Sequence, residues 1–137
     1  MKRLNVYLSF AGNCRAAMEF YRDSLGGKLD LMTMGESPMA SQTPPESKNR
    51  VMHSLLDADG MVIMASDMMG QDKPVKGNTV SLCINGSDKK EIEVYFRKLS
   101  AGGKVTNPLS DTFFGTYGSL TDKFGVDWMF EADKPKP

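Results

Sequence analysis

Apolar and polar positions along the chain alternate between a strand rhythm and a helix rhythm, and they do so twice. The run Val6-Tyr7-Leu8-Ser9-Phe10 is short, apolar and β-prone, and it stops at Gly12-Asn13. From Cys14 to Leu25 the apolar residues Ala17, Met18, Tyr21 and Leu25 recur every three or four positions. This spacing predicts a helix over Asn13–Leu25, with Asn13 as N-cap and Gly26-Gly27 as a left-handed stop. Lys28 to Met34 reads as the next strand, and Gly35 to Asn49, rich in Ser, Pro, Gln and Glu, reads as a mobile loop. Arg50–Leu56 and Met61–Ser66 then form a hairpin about the turn Asp57–Gly60.

The second half repeats the scheme. Val80–Ile84 is the strand, and a helix is predicted over Asp88–Ala101. Asp88 and Glu91 stand at capping-box spacing, and Ile92, Tyr95, Phe96 and Leu99 form the buried stripe. Gly102-Gly103 ends it. Strands follow at Lys104–Thr106, Phe113–Leu120 and Val126–Glu131, the last two joined by the turn Asp122–Gly125. The likeness extends to the letters themselves. Phe20-Tyr21-Arg22-Asp23-Ser24-Leu25-Gly26-Gly27-Lys28 reappears as Phe96-Arg97-Lys98-Leu99-Ser100-Ala101-Gly102-Gly103-Lys104, and both hairpin turns run from Asp to Gly. The chain therefore reads as two copies of one strand-helix-three-strand unit, the first carrying extra loop residues. The expected organisation is a single domain over residues 1–137, with unit 1 at 1–67, a linker at 68–78, unit 2 at 79–132 and a frayed tail at 133–137. Asp67 is expected to act as the hinge into the linker. The fold class is α+β: two tandem βαβββ units forming one curved mixed sheet, a cup, with a helix packed on each unit.

Composition narrows the partners. Seventeen basic and seventeen acidic side chains cancel, and no basic stripe with interleaved aromatics is present to follow a phosphate backbone, which argues against nucleic acid. No apolar run reaches the roughly 18 residues of a membrane span, and Met1-Lys2-Arg3-Leu4-Asn5 lacks the apolar core of a signal peptide, so a cytoplasmic protein without a membrane partner is expected. Cys14 and Cys83 have no Cys-x-x-Cys spacing and read as free thiols. Met32, Met34, Met39, Met52, Met61, Met64, Met68, Met69 and Met129 lie on or beside the hairpin strands, where flexible thioethers suit either core filling or an adaptable pocket. Tyr7, Phe113, Phe114, Tyr117 and Trp128 are aromatic candidates for the same wall. Arg15, Arg22 and the Lys89-Lys90 pair read as solvated helix faces. No nucleophile elbow or phosphate loop occurs.

Paired βαβββ units resemble the vicinal-oxygen-chelate superfamily of glyoxalase I, extradiol dioxygenases and bleomycin-resistance proteins. The segment Tyr7–Tyr21, His53, Ser66-Asp67 and Asp122–Met129 resemble its PhnB-like branch, also called 3-demethylubiquinone methyltransferase-like. The resemblance implies a ligand cup between the paired units, and a homodimer, since members of this size commonly complete their clefts by pairing. It also implies metal ligands on the first and last strands of each unit. Those positions fall at Asn5 and Thr79 and at Met64 and Met129, and none is His, Glu, Asp or Cys. Thioether and amide groups are poor ligands for hard or borderline ions. Glu131, on the face of Met129, is the one carboxylate able to enter the cup.

His53, the only histidine, reads either as a general base or ligand-binding group facing the cleft or as a strand histidine bonded to backbone, and its counterpart in the second copy is read as Gly118. The expected ligand-binding set is Tyr7, His53, Met64, Trp128 and Met129, with His53 the best catalytic candidate. The methyltransferase label finds no glycine-rich strand-to-helix loop to hold a donor. The reading is a metal-independent small-molecule-binding protein of the glyoxalase/bleomycin-resistance type with no cofactor. The alternative is a divalent-metal-dependent lyase, isomerase or dioxygenase-like enzyme.

Overall fold

The computed structural model describes residues 1–134. The chain divides into two compact units, Met1–Val75 and Lys76–Pro137, each built as strand, helix and three strands. Unit 1 comprises β1 (Val6–Phe10), α1 (Cys14–Leu25), β2 (Lys28–Thr33), β3 (Val51–Ala58) and β4 (Met61–Asp67). Unit 2 comprises β5 (Leu82–Gly86), α2 (Lys89–Ser100), β6 (Lys104–Thr112), β7 (Gly115–Thr121) and β8 (Asp127–Asp133). The α+β class and the duplicated unit stand as read from the sequence. The ladders form two four-stranded sheets, one per unit, ordered β1-β4-β3-β2 and β5-β8-β7-β6. In each the first strand runs parallel to the last and the other pairs are antiparallel.

Each helix covers one face of its own sheet, because only one face of each sheet is predominantly apolar. In unit 1, Cys14, Ala17, Met18, Tyr21 and Leu25 of α1 are buried, as are Phe10, Leu56, Ala58, Ile63 and Ala65 of the strands. In unit 2, Ile92 and Leu99 of α2 are buried along with Ile84, Leu120, Trp128, Phe130 and Ala132. The Phe96 and Phe130 rings meet edge to face at 5.2 Å.

The duplicated Gly-Gly-Lys has one physical cause in both units. A Cβ on Gly27 would strike the backbone carbonyl of Asp57, and a Cβ on Gly103 that of Thr121. These are equivalent places, since Lys28 pairs with Asp57 and Lys104 with Thr121. The second glycine lets the helix exit run against the third strand of its unit, and Gly26, at φ +79°, makes the turn that leads there.

Several local expectations change. Asn13 occupies the N-cap position but its side chain caps nothing. That role falls to Asp67, whose Oδ1 accepts from the backbone N–H of Gly12 (2.8 Å) and Cys14 (3.0 Å), while Oδ2 accepts from Val51 N–H (2.9 Å). Asp67 is thus the buried end of β4, fastening the starts of α1 and β3, and not a hinge. Asp88 caps α2 as expected, accepting from the N–H of Lys90 and Glu91. The segment after β2 is a chain of one-turn 3₁₀ segments, Met34–Glu36, Ala40–Gln42 and Pro45–Ser47, and the first is closed by a Thr33/Glu36 capping box. Phe113 and Phe114 form the tip of the β6–β7 hairpin and are exposed, so β7 starts two residues later than the apolar run suggests. The expected tail begins inside β8, and its residues 135–137 lie outside the described residues.

Candidate functional site

Ladder register decides which side chains share the sheet face opposite each helix. In unit 1, Tyr7 pairs with Met64, Met64 with Leu55, and Met32 with His53. Directly opposed residues point the same way. The open face of unit 1 therefore carries Tyr7, Asp30, Met32, His53, Leu55 and Met64, with Ser9 and Ser66 beside them on the same parity. Tyr7 is 49% exposed and Met32 42%. The Tyr7 and His53 rings lie 6.2 Å apart at 32°. Three of the expected ligand-binding residues, Tyr7, His53 and Met64, are thus gathered on one surface.

Alternation from Leu55 puts His53 on that surface, and an irregularity in β3 falls just before it. Thr33 pairs with Val51 and Met32 with His53, so Met52 is an extra residue on β3. Strict alternation is broken, and Met52 and His53 are both exposed between buried Val51 and Ser54. Bulges of this kind redirect a side chain within an otherwise regular sheet. Period-two alternation reaches His53 from Leu55, but no local pattern in the sequence marks Met52 as the extra residue.

In unit 2, Cys83 pairs with Met129, Asn85 with Glu131, Glu131 with Tyr117, and Met129 with Ser119. Its open face holds Cys83, Asn85, Tyr117, Ser119, Met129 and Glu131. Asn107 Nδ2 donates to Ser119 Oγ at 2.7 Å, so this face is the more polar of the two. The Cys83 thiol is pushed above its ordinary value, first by burial and then by the Glu131 charge. Sequence reading placed Cys83 only as a free thiol and missed its position opposite Met129, because only the β5–β8 register reveals it.

Trp128 is corrected. It pairs with Leu82 and Leu120 on the helix side of the sheet, is 2% exposed, and donates its indole N–H to Asp122 Oδ2 at 2.8 Å. Its parity is one residue off Met129, so it packs in the core. The counterpart of His53 also changes. Leu55 and Ser119 oppose the equivalent methionines Met64 and Met129, which makes Tyr117 the match of His53 and Gly118 that of Ser54. Likewise Tyr7 matches Cys83, so Asn5 corresponds to Ser81 and not to Thr79.

The metal-ligand positions of the resembling enzymes thus hold Asn5, Met64, Ser81 and Met129. This donor set does not fit a hard or borderline divalent ion, which takes carboxylate, imidazole or thiolate. Among the described residues no group of three His, Cys, Asp or Glu side chains stands close enough to share one. Nor is the turn into α1 free to hold an anionic group, because the Asp67 carboxylate already occupies the N–H groups of Gly12 and Cys14.

Residues 2–130 match the family model for 3-demethylubiquinone-9 3-methyltransferase. The chain belongs to this PhnB-like family. A curated relative, Protein YjdN of Escherichia coli (strain K12), is 33% identical over 144 residues, covering 98% of this chain and 97% of that protein. The crystal structure of protein PA1353 from Pseudomonas aeruginosa is 36% identical with a TM-score of 0.84, covering 98% of this chain and all of the other. A putative 3-demethylubiquinone-9 3-methyltransferase, PhnB protein, from Bacillus cereus is similar at 23% identity and TM-score 0.75, over 96% of this chain and 99% of that one. At the level of fold alone, the PhnB-like chain also resembles a glyoxylase/bleomycin resistance protein/dioxygenase domain from Frankia sp. EAN1pec (14% identity, TM-score 0.69, 98% of each chain). It resembles in the same way the fosfomycin resistance protein FosX of Listeria monocytogenes, solved with Mn(II) (10% identity, TM-score 0.66, 98% of this chain and 94% of that one). These two likenesses are of fold alone. No helix among the described residues is long and apolar enough to cross a membrane.

Proposed function

We propose that this PhnB-like protein binds a small, partly apolar molecule against the open sheet faces, without a metal, in the manner of the bleomycin-resistance proteins. The observation that carries the reading is the chemistry of the equivalent positions. Asn5, Met64, Ser81 and Met129 offer amide, hydroxyl and thioether groups where the resemblance to metal-dependent enzymes would place anionic or imidazole ligands. Thioethers and an aromatic ring make an adaptable apolar surface, and His53 at its edge supplies one hydrogen-bonding group that can carry a proton. In this reading the protein is cytoplasmic and homodimeric. Within each sheet the outer strands leave backbone groups unpaired by that sheet, and a second copy offers cover.

A second reading has one observation in its favour. Glu131 and Cys83 share the open face of unit 2, so two anionic-capable donors flank Met129. A divalent-metal-dependent lyase, isomerase or dioxygenase-like enzyme would need a third from elsewhere.

Elemental analysis of protein purified without a histidine tag separates the two. Our reading expects no stoichiometric Zn, Ni, Fe or Mn and no isomerisation of the methylglyoxal–glutathione hemithioacetal. It also expects saturable binding of anilinonaphthalene sulfonate that weakens in Tyr7→Ala and Met64→Ala. About one metal per chain, lost in Glu131→Gln or His53→Ala, would overturn it.

A further inference from the structure

The helix side of unit 2 contains a groove of about 410 Å³, between α2 and the β6–β7 hairpin, lined by Lys89, Glu93, Arg97, Leu109, Ser110, Asp111 and Thr116. It lies on the face of the sheet opposite Cys83, Met129 and Glu131, because Thr116 pairs with Ala132 on the buried side. Its size falls within the range of small-ligand sites, roughly 300–1,000 Å³.

Two kinds of residue build it. Lys89, Glu93 and Arg97 are spaced four apart on α2 and so form one row along the helix. On the opposite wall Asp111 is already engaged: Lys89 Nζ lies 3.1 Å from its Oδ1, and the Thr116 hydroxyl donates to the same oxygen at 2.8 Å. Glu93 and Arg97 differ. Neither side chain has an ion-pair or hydrogen-bond partner among the described residues, although they stand one turn apart. The apolar floor comes from Leu109, seated over Gly118, where a Cβ would lie 2.8 Å from Leu109 Cδ2 and 3.0 Å from Phe96 Cε2. The absence of a side chain at Gly118 therefore sets the depth of the groove.

The four charged linings sum to zero: Lys89 and Arg97 against Glu93 and Asp111. A net anion or a net cation entering would meet an uncompensated charge of its own sign. A zwitterion would not. We infer that this groove binds a small zwitterion of the amino-acid type, its carboxylate on the Arg97 guanidinium, its ammonium on Glu93, and a short apolar side chain on Leu109. The Arg97 fork matches a carboxylate geometrically, and charge-assisted hydrogen bonds of this kind are the stronger ones. Both partners are exposed, so the expected affinity is millimolar.

The test is an NMR titration of the ¹⁵N-labelled full chain with L-leucine, with acetate and methylammonium as half-molecules. L-Leucine should shift the amides of Lys89, Glu93, Arg97, Ser110 and Thr116 saturably, and neither half-molecule should saturate them at equal concentration. Arg97→Gln and Glu93→Gln, both at exposed positions, should each weaken binding about tenfold. Gly118→Ala, which pushes Leu109 into the groove, should weaken it also. Non-saturating shifts, shifts confined to the open faces, or unchanged affinity in both Arg97→Gln and Glu93→Gln overturns the inference. Because the probe and the face are both different, none of these outcomes bears on the metal-free reading of the open faces.

Discussion

Replacing Asp67 should damage this fold more than any single change at the proposed site. The side chain is 5% exposed and accepts three backbone N–H groups, from Gly12, Cys14 and Val51. In Asp67→Ala the two buried donors, those of Cys14 and Val51, lose their partner, at about 1–3 kcal/mol each. Gly12 N–H is only partly buried and recovers water, and Asn13 offers no substitute cap. A loss of about 3–5 kcal/mol follows, a large share of the roughly 5–15 kcal/mol that holds a domain folded. Asp67→Asn keeps one acceptor oxygen but turns an NH₂ toward one N–H, so it should fall between wild type and Ala. Urea denaturation followed by far-UV circular dichroism measures this directly. A midpoint for Asp67→Ala corresponding to less than about 1 kcal/mol of loss would refute the claim that this carboxylate fastens β1, α1 and β3 together.

Three further outcomes follow from the same physical reasoning. Gly27→Ala should cost more than Gly26→Ala in thermal melts. Both have positive φ, worth about 1–2 kcal/mol against alanine, but only at Gly27 does the new Cβ meet backbone, at Asp57. Equal losses would mean that the backbone approach is not tight. The two thiols should differ under alkylation. Cys14 is fully buried with its pKa pushed up to about 11 by burial, whereas Cys83 is exposed and raised less. Mass spectrometry after iodoacetamide at pH 8 should find Cys83 modified first and Cys14 modified only in denaturant. The Cys14 shift also predicts alkaline instability. Its folded pKa lies above the unfolded value, so its contribution is complete below about pH 9 and is lost between about pH 9 and 11. The loss is on the order of 2–3 kcal/mol, and Cys14→Ala should remove that part of the pH dependence.

The duplicated architecture was legible in the chain because it rests on local signals. A 3.6-residue apolar stripe, a two-residue alternation and a glycine pair report on neighbours within a turn or a hairpin, so both helices were placed to within a residue at each end. The resemblance placed Tyr7, His53 and Met64 together, and the ladders put them on one face. What only the tertiary structure decided depends on register. One residue of slip exchanges the faces of a strand, and no local feature near Trp128 says whether it or Met129 looks outward. The bulge at Met52, which turns Val51 inward beside exposed His53, arises from pairing with β2, about twenty residues earlier in the chain. Asp67 shows the same limit: its partners Gly12 and Cys14 lie 55 and 53 residues away. A carboxylate that caps a helix from another strand leaves no mark in the sequence beside that helix, because the bond is made only once β1, β3 and β4 have paired.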